Sequence, residues 1–523
     1  MPNSNIDIVD VIESALKDKV QIQRGQLGKA AITTSNGLHR DVFKAMLNAD
    51  EKTAVVAITG LDLGANLGVL YHVRSSNPLL TLKTEVPKDN PKIQTITDII
   101  PGATFHELEV TDLFGVNFEG NPLKGHFVLP DNWPKGVYPL RKDVNACEVK
   151  LDPSPEEEKQ PDEGKVVKII IGPQHPALLE PEKFAVTVDG ETVTKVEPRI
   201  GYVHRGIEKA AEARTYLQDI YLVERICGIC TTIHACDYCE IVEKLLKTEV
   251  PQRAKYLRVI ALELNRLHSH LLTLGHAGLE IGYETLFQYF WRDREPIMDL
   301  IELTSGSRVY PSIMTIGGVR RDLKDSDIPR IKSTLVDLRK KLPFYRQVYE
   351  NEPSIRARMK GVGVLKREDA LKLNVVGPVA RGSGVDIDVR KDEPYEAYAE
   401  IPFKEIVYTD GDTWARMNVR MDEVEESINI IEYVIDHLPT GPFRVKVPRV
   451  VPAGEAVNRV EAPRGELFCY MRSNGTAMPE RVKVRTPTYA NIPAFLKTAI
   501  GESIADVPPN FVSLDPCFSC TDR

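Results

Sequence analysis

The 523-residue chain has eight cysteines, and six of them fall in two places. The first is Arg225-Ile226-Cys227-Gly228-Ile229-Cys230-Thr231-Thr232-Ile233-His234, followed by Cys236 and Cys239. The second is Asp515-Pro516-Cys517-Phe518-Ser519-Cys520-Thr521-Asp522-Arg523. In each Cys-x-x-Cys pair the gap lets both sulfurs turn toward one ion, and thiolates select zinc, iron or nickel over hard cations. Gly228 permits the tight turn inside the first pair. Two distant pairs can therefore supply four thiolates to one metal centre, and a structural zinc site fits the same spacing. Cys227, Cys230, Cys236 and Cys239 can also hold zinc or an iron–sulfur cluster locally. Against that local cluster, Cys236 and Cys239 lie in a helical pattern, where small buried cysteines are common. A thioredoxin-like pair fits less well, because the surroundings read as helical rather than βαβ. Cys147 and Cys469 read as inert thiols.

The elements that must position these residues divide at one composition break. Residues 145–165, NACEVKLDPSPEEEKQPDEGK, are rich in Glu, Asp and Pro and nearly lack bulky apolar side chains, so they read as an exposed linker. Residues 1–144 read as a small α/β domain. Val11, Ile12 and Ala15, then Val42, Phe43, Met46 and Leu47, recur at helical spacing, and strands are expected at 53–59, 68–73 and 81–86. In 166–523, strands are expected at 166–171, 184–188 and 192–196, with Asp189-Gly190 as a hairpin turn. Amphipathic helices are expected at about 205–225, 231–247, 252–274, 284–305, 324–349 and 420–437. Pro251 suits a first helical position, and Pro296 is expected to kink or interrupt its segment. The fold class is α+β, a small α/β domain followed by a mainly helical one with flanking strands.

Composition narrows the function classes. The 67 Lys+Arg and 75 Asp+Glu residues leave a net charge of −8, with 42% hydrophobic and 27% charged residues, an ordinary globular mix. The acidic balance, without a dense basic tract, argues against nucleic-acid binding. No apolar run reaches the roughly 18–20 residues that span a bilayer. The acidic, amphipathic N-terminus does not read as a signal peptide. So few cysteines do not make a disulfide scaffold, which favours reduced thiols in the cytoplasm. Gly361-Val362-Gly363 and Gly382-Ser383-Gly384 lack the spacing of a nucleotide loop.

The two cysteine segments together resemble the paired signatures of [NiFe]-hydrogenase large subunits. Gly172-Pro173-Gln174-His175-Pro176, Gly201-Tyr202-Val203-His204-Arg205-Gly206-Ile207-Glu208-Lys209 and Glu263-Leu264-Asn265-Arg266-Leu267-His268-Ser269-His270 are similar to the 49-kDa-type subunit of respiratory complex I. Glu109-Val110-Thr111-Asp112-Leu113-Phe114-Gly115, Trp133 and Pro139-Leu140-Arg141-Lys142-Asp143 resemble its 30-kDa-type neighbour, although His106-Glu107-Leu108-Glu109 departs from that family's usual Glu-Arg-Glu. The fusion resembles the large subunit of group 4, membrane-bound, energy-converting hydrogenases of the formate hydrogenlyase type.

The resemblance implies that Cys227, Cys230, Cys517 and Cys520 bind nickel, and that Cys230 and Cys520 bridge to an iron carrying CO and two cyanides. It implies a structural Mg or Fe ion near the C-terminus and no nucleotide. Glu180 matches the family's proton-relaying glutamate, Arg464 its arginine over the iron side, and Thr488 its cyanide-bonding hydroxyl. Asp515 is expected either to orient Arg464 or to cap the C-terminal turn, and His234, four residues after Cys230, to hydrogen-bond a ligand sulfur. His268 and His270, two apart, cannot share a helix face as zinc ligands. His204 and Arg205 are expected to face a neighbouring iron–sulfur subunit.

Implied partners are a 20-kDa-like iron–sulfur small subunit, a ferredoxin-like iron–sulfur subunit, integral-membrane antiporter-like subunits and a maturation endopeptidase. Arg523, three residues after Cys520, resembles an end left by that protease. The implied location is peripheral, on the cytoplasmic face of the membrane. The alternative reading is a complex I-like subunit shaping a quinone pocket without metal.

Overall fold

The computed structural model describes residues 7–25, 27–75, 79–153, 166–175 and 178–523. The acidic part of the expected linker, 154–165, lies outside the described residues, as does Pro176. Near the N-terminus, α1 (Ile8–Leu16) and α2 (His39–Ala49) bury Ile8, Val9, Ile12, Val42, Phe43 and Met46. These residues cover a five-stranded sheet of β1 (Val20–Arg24), β2 (Ala30–Thr34), β3 (Ala54–Asp62), β4 (Asn66–Arg74) and β5 (Leu80–Pro87), ordered β1-β2-β5-β4-β3. Only β2 and β5 run parallel, and the rest pair antiparallel. α3 (Thr104–Phe114) then packs on β3.

The later part opens with β6 (Val166–Ile171), β7 (Lys183–Asp189) and β8 (Thr192–Arg199), an antiparallel meander whose β7–β8 turn holds Gly190 at φ 63°. The helix expected over 205–225 is two helices, α4 (Ile207–Ala211) and α5 (Tyr216–Glu224). The break falls at Thr215, whose side chain and that of Gln218 form a capping box that starts a new helix. α6 (Thr231–Leu246), α7 (Gln252–Glu280), α8 (Glu284–Ser305), α9 (Ile328–Asn351) and α10 (Thr413–Asp436) follow. Pro296 sits inside α8 without ending it. α7 packs against both α8 and α10 and is buried along almost its whole length. The chain closes with β9 (Gly454–Ala462), β10 (Gly465–Ser473), β11 (Arg481–Arg485), α11 (Pro487–Thr498), α12 (Val507–Ser513) and α13 (Phe518–Asp522).

The two regions share hydrophobic cores. Phe105, Leu108, Phe127 and Val128 pack with Phe184, Tyr489 and Phe518, while Ala57, Leu61 and Leu70 pack with Val457, Phe468 and Tyr470. Burying those side chains at roughly 25 cal/mol per Å2 ties the N-terminal sheet to the part that carries the cysteines.

Candidate metal centre

The paired cysteines sit at helix starts. Cys230 caps the N-terminus of α6, and Cys517 caps that of α13. Their loops converge so that the sulfurs of Cys227, Cys230, Cys517 and Cys520 all lie within 4.8 Å of one another, each residue at most 2% exposed. Cys230 Sγ is 3.3 Å from Cys520 Sγ, and Cys517 Sγ is 3.3 Å from Cys227 Sγ. Hydrogen bonds from the Cys227, Cys517 and Cys520 thiols hold Cys230 well below the usual thiol range. Cys517 is pushed up by its bond to Cys227, and Cys520 by burial. Four sulfurs this close cannot all be anions without a cation between them, so binding a metal must release protons.

Distant side chains hold the loops in place. Arg205 donates to Arg225 O, Ile226 O and Ser519 O, each at 2.8 Å, and so ties the first cysteine loop to the second. Arg205 remains exposed while it holds these carbonyls. His204 Nδ1 lies 2.7 Å from Asp522 O, in the same seam. From α7, Asn265 donates to Ile229 O at 2.6 Å and His268 Nε2 lies 2.9 Å from that carbonyl. Burial lowers His268 to about 3, so the ring is neutral. Nε2 then carries the proton toward Ile229 O, and Nδ1 accepts from Arg294 at 3.0 Å.

The walls of the cluster are charged and buried. Arg464 sits in the tight turn between β9 and β10, 1% exposed. Its guanidinium pairs with Asp515 Oδ1 at 2.7 Å and donates through Nε to Asp515 O at 2.9 Å. Nη1 reaches Ser269 Oγ at 3.2 Å and lies 3.9 Å from Cys230 Sγ. The positive φ of Gly465, 126°, and the lack of a Cβ there let this turn press against the backbone of Val376 and Gly377. Thr488 Oγ1 accepts from the Cys517 N–H at 3.1 Å, and His234 Nε2 is 3.5 Å from Cys520 Sγ. Glu180 accepts from the Ser519 N–H at 2.8 Å and from the Ser519 hydroxyl. Thus Cys227, Cys230, Cys517, Cys520, Glu180, Arg464, His234, Thr488 and Asp515 lie around one centre, with Asp515 pairing with Arg464.

Other residues stand apart. His270 bonds Glu423 at 2.8 Å, on a different side of α7 from His268. His175 is exposed. Cys236 and Cys239 are fully buried in α6, and burial pushes both thiols up. Cys236 approaches Glu240 and Glu396, but Arg258 donates to Glu396 at 2.7 Å and already supplies the cation there. Ser269 and Asn265, which touch or brace the centre, belong to the Glu263–His270 motif without an assigned role; only the fold shows which way they point.

The expected structural ion near the C-terminus has one set of side chains that could hold it. Glu182 and Asp522 are buried together, burial and then Asp522 push Glu182 up to about 11, and Glu182 Oε1 and Oε2 and Asp522 Oδ1 make no hydrogen bond among the described residues. A second buried pair, Glu109 and Glu208, faces the Arg523 guanidinium instead. Glu208 pairs with Arg481 at 2.8 Å and Arg523 at 3.0 Å, and Glu109 with Lys483 at 2.6 Å and with Arg523. Three buried cations already neutralise Glu109 and Glu208, so a divalent ion would favour Glu182 and Asp522 over that pair.

Known proteins share this arrangement of domains. Residues 33–149 match the family described as respiratory-chain NADH dehydrogenase, 30 Kd subunit. Residues 280–452 and 449–523 match respiratory-chain NADH dehydrogenase, 49 Kd subunit, and residues 205–277 match nickel-dependent hydrogenase. The C/D-type NADH-quinone oxidoreductase subunit of Bacteroides fragilis is 37% identical over 90% of this chain and 95% of its own length. Formate hydrogenlyase subunit 5 of Escherichia coli is 36% identical over 87% of this chain and 81% of its own. A solved chain of the archaeal membrane-bound sulfane sulfur reductase complex superposes with TM-score 0.67 and 34% identity, covering 70% of this chain and all of that one. The chain belongs to this family of fused 30-kDa/49-kDa complex I-like and nickel-hydrogenase oxidoreductase subunits.

Proposed function

We propose that this chain is the catalytic large subunit of a group 4 [NiFe]-hydrogenase of the formate hydrogenlyase type, interconverting 2H+ + 2e− and H2. The observation that carries this reading is the convergence of two Cys-x-x-Cys pairs, 290 residues apart, into one buried four-sulfur cluster beside Arg464. The donor set fits: four buried thiols with no hard oxygen ligand among them suit a soft metal. Cys227, Cys230, Cys517 and Cys520 would hold nickel. Cys230 and Cys520, whose sulfurs lie 3.3 Å apart, would also hold an iron carrying CO and two cyanides. When bound, this group supplies the site at which H2 is split or formed.

The chain's own residues do the rest. Glu180, oriented by Ser519, takes and returns the proton. Arg464, fixed by Asp515 and Ser269, presents a permanent charge and planar donors to the iron side. Thr488 and His234 hold Cys517 and Cys520 in place. Electrons pass to iron–sulfur clusters of a 20-kDa-like small subunit and a ferredoxin-like subunit. Among the described residues no helix is long and apolar enough to cross a membrane, so anchoring at the cytoplasmic face falls to antiporter-like membrane partners. A maturation endopeptidase belongs with this reading, as does the partition into a domain at 1–144, a linker at 145–165 and a catalytic domain at 166–523.

The similarity to the C/D-type NADH-quinone oxidoreductase protein supports a second reading, a quinone-pocket subunit without metal. Metal analysis of the purified complex separates the two. Nickel near one per chain, with infrared bands of bound CO and cyanide, supports the hydrogenase. Zinc without nickel, or a nickel-replete sample without those bands, refutes it. Cys230→Ser should abolish H2 turnover, and full activity in that variant would overturn the ligand assignment.

A further inference from the structure

A small cavity of about 10 Å3 lies behind Glu180, bordered also by Thr273, His276 and Asp515. That volume accommodates about one water, and the lining offers it carboxyl, hydroxyl and imidazole partners. His276 is 5% exposed, and its Nε2 makes no hydrogen bond among the described residues. The same nitrogen lies 3.7 Å from Glu280 Oε1, one helical turn along α7. Glu280 is the last residue of α7 and is only partly buried, whereas Thr273 and His276 are buried. α7 thus carries two titratable side chains in line, from the cavity beside Glu180 to the helix end.

We propose that a water in this cavity, His276 and Glu280 form the proton route between Glu180 and the exterior. The inference rests on the hydrogenase reading and deepens it, because it names how the proton that Glu180 takes leaves the buried site. In the H2-oxidising direction, protonated Glu180 gives its proton to the water, which passes one to Nδ1 of His276 while Nε2, toward Glu280, carries the ring's resting proton. The imidazolium releases its Nε2 proton to Glu280, which delivers it to solvent, and ring rotation or tautomer exchange resets the donor; in proton reduction each transfer reverses. No electron moves in these steps, and one proton enters and one leaves.

The resting groups suit the task. Burial lowers His276 and raises Glu280, so the imidazole rests neutral and the two groups are brought closer in proton affinity. The competing role for both is packing at the end of α7, and the test separates the two.

The assay is H2/D2O isotope exchange by the intact complex, which needs proton movement but no external electron acceptor. His276→Gln and Glu280→Gln should each slow exchange about 10-fold while nickel content and the CO and cyanide bands stay at parental values. Imidazole added to a His276→Gly variant should restore part of the lost rate, which a packing role would not. Exchange within about 2-fold of parent in both Gln variants would overturn the route. If His276→Gln loses nickel, Glu280→Gln at the partly exposed helix end decides by the same criterion. A parent complex without CO and cyanide bands refutes the hydrogenase reading and the route with it; a banded parent with unaffected variants refutes the route alone.

Discussion

Replacing Glu109 with alanine should loosen the second cysteine pair from a distance. Glu109 belongs to α3, yet it takes ion pairs from Lys483 of β11, at 2.6 Å, and from Arg523, three residues beyond Cys520. Glu109, Lys483 and Arg523 are each no more than 2% exposed, so the charges have little water to fall back on. Removing one partner of a buried pair costs about 3–5 kcal/mol, chiefly because the surviving charges stay buried without compensation. Glu208 still faces Lys483 and Arg523, at 3.6 and 3.0 Å, and offsets part of that, so about 3 kcal/mol is the expected loss. At about 1.4 kcal/mol per decade this raises the local opening equilibrium by about two decades. Amide hydrogen exchange read by mass spectrometry checks it. Peptides covering α13 and β11 should exchange about 100-fold faster in Glu109→Ala, while α1 and α9, which do not touch the cluster, keep parental rates. Adding Arg523→Ala should restore much of the protection, since it removes the stranded cation. If exchange in α13 changes less than about 3-fold, the view that a buried ion-pair cluster holds this segment is wrong.

Three further outcomes are expected. Gly377→Ala would place a Cβ 2.3 Å from Gly465 Cα and 2.4 Å from Arg464 O at a φ of +65°, so it should cost about 2–3 kcal/mol and shift Arg464. A thermal melt reads the first effect and, if the reading of the site holds, the cyanide stretching frequencies read the second; an unchanged melt would count against the tight packing. Arg464→Lys keeps the charge but loses the planar fork that binds Asp515 and Ser269, so nickel should be retained while H2 turnover falls about 10- to 100-fold. Parental turnover would remove Arg464 from the mechanism. Glu107 is raised by burial to about 7 from 4.5, so between those values the folded chain holds a proton that the unfolded chain has released. Its contribution is therefore intact below pH about 4.5 and is lost as pH rises toward 7, by about 3 kcal/mol. Glu107→Gln should flatten that fall, measured as urea midpoints from pH 5 to 8, and an unchanged slope would show that Glu107 ionises freely.

Helix and strand positions were legible where pattern and burial agree. α8 spans the expected 284–305, and β7 and β8 meet at Asp189-Gly190, because one-sided burial imposes period 3.6 or 2 on the residues themselves. Over 205–225 the apolar spacing continues across Thr215 and hides a break, since a capping box restarts the helix there. The contact between the N-terminal sheet and β10 was not legible, since burial of Phe468 and Tyr470 by a distant strand leaves no periodic mark that separates it from burial by a neighbour.

Residue types alone determined that four thiols of matched spacing exist and that soft-metal chemistry is open to them. Spacing is local, and a two-residue gap aims two sulfurs whatever lies elsewhere. Only the tertiary structure decided that the pairs meet, that Arg205 ties their loops together, and that Arg481, Lys483 and Arg523 gather around Glu109 and Glu208. Those facts depend on contacts between residues hundreds of positions apart. Their energies come from burying charge in a common interior, and no stretch of sequence carries that by itself.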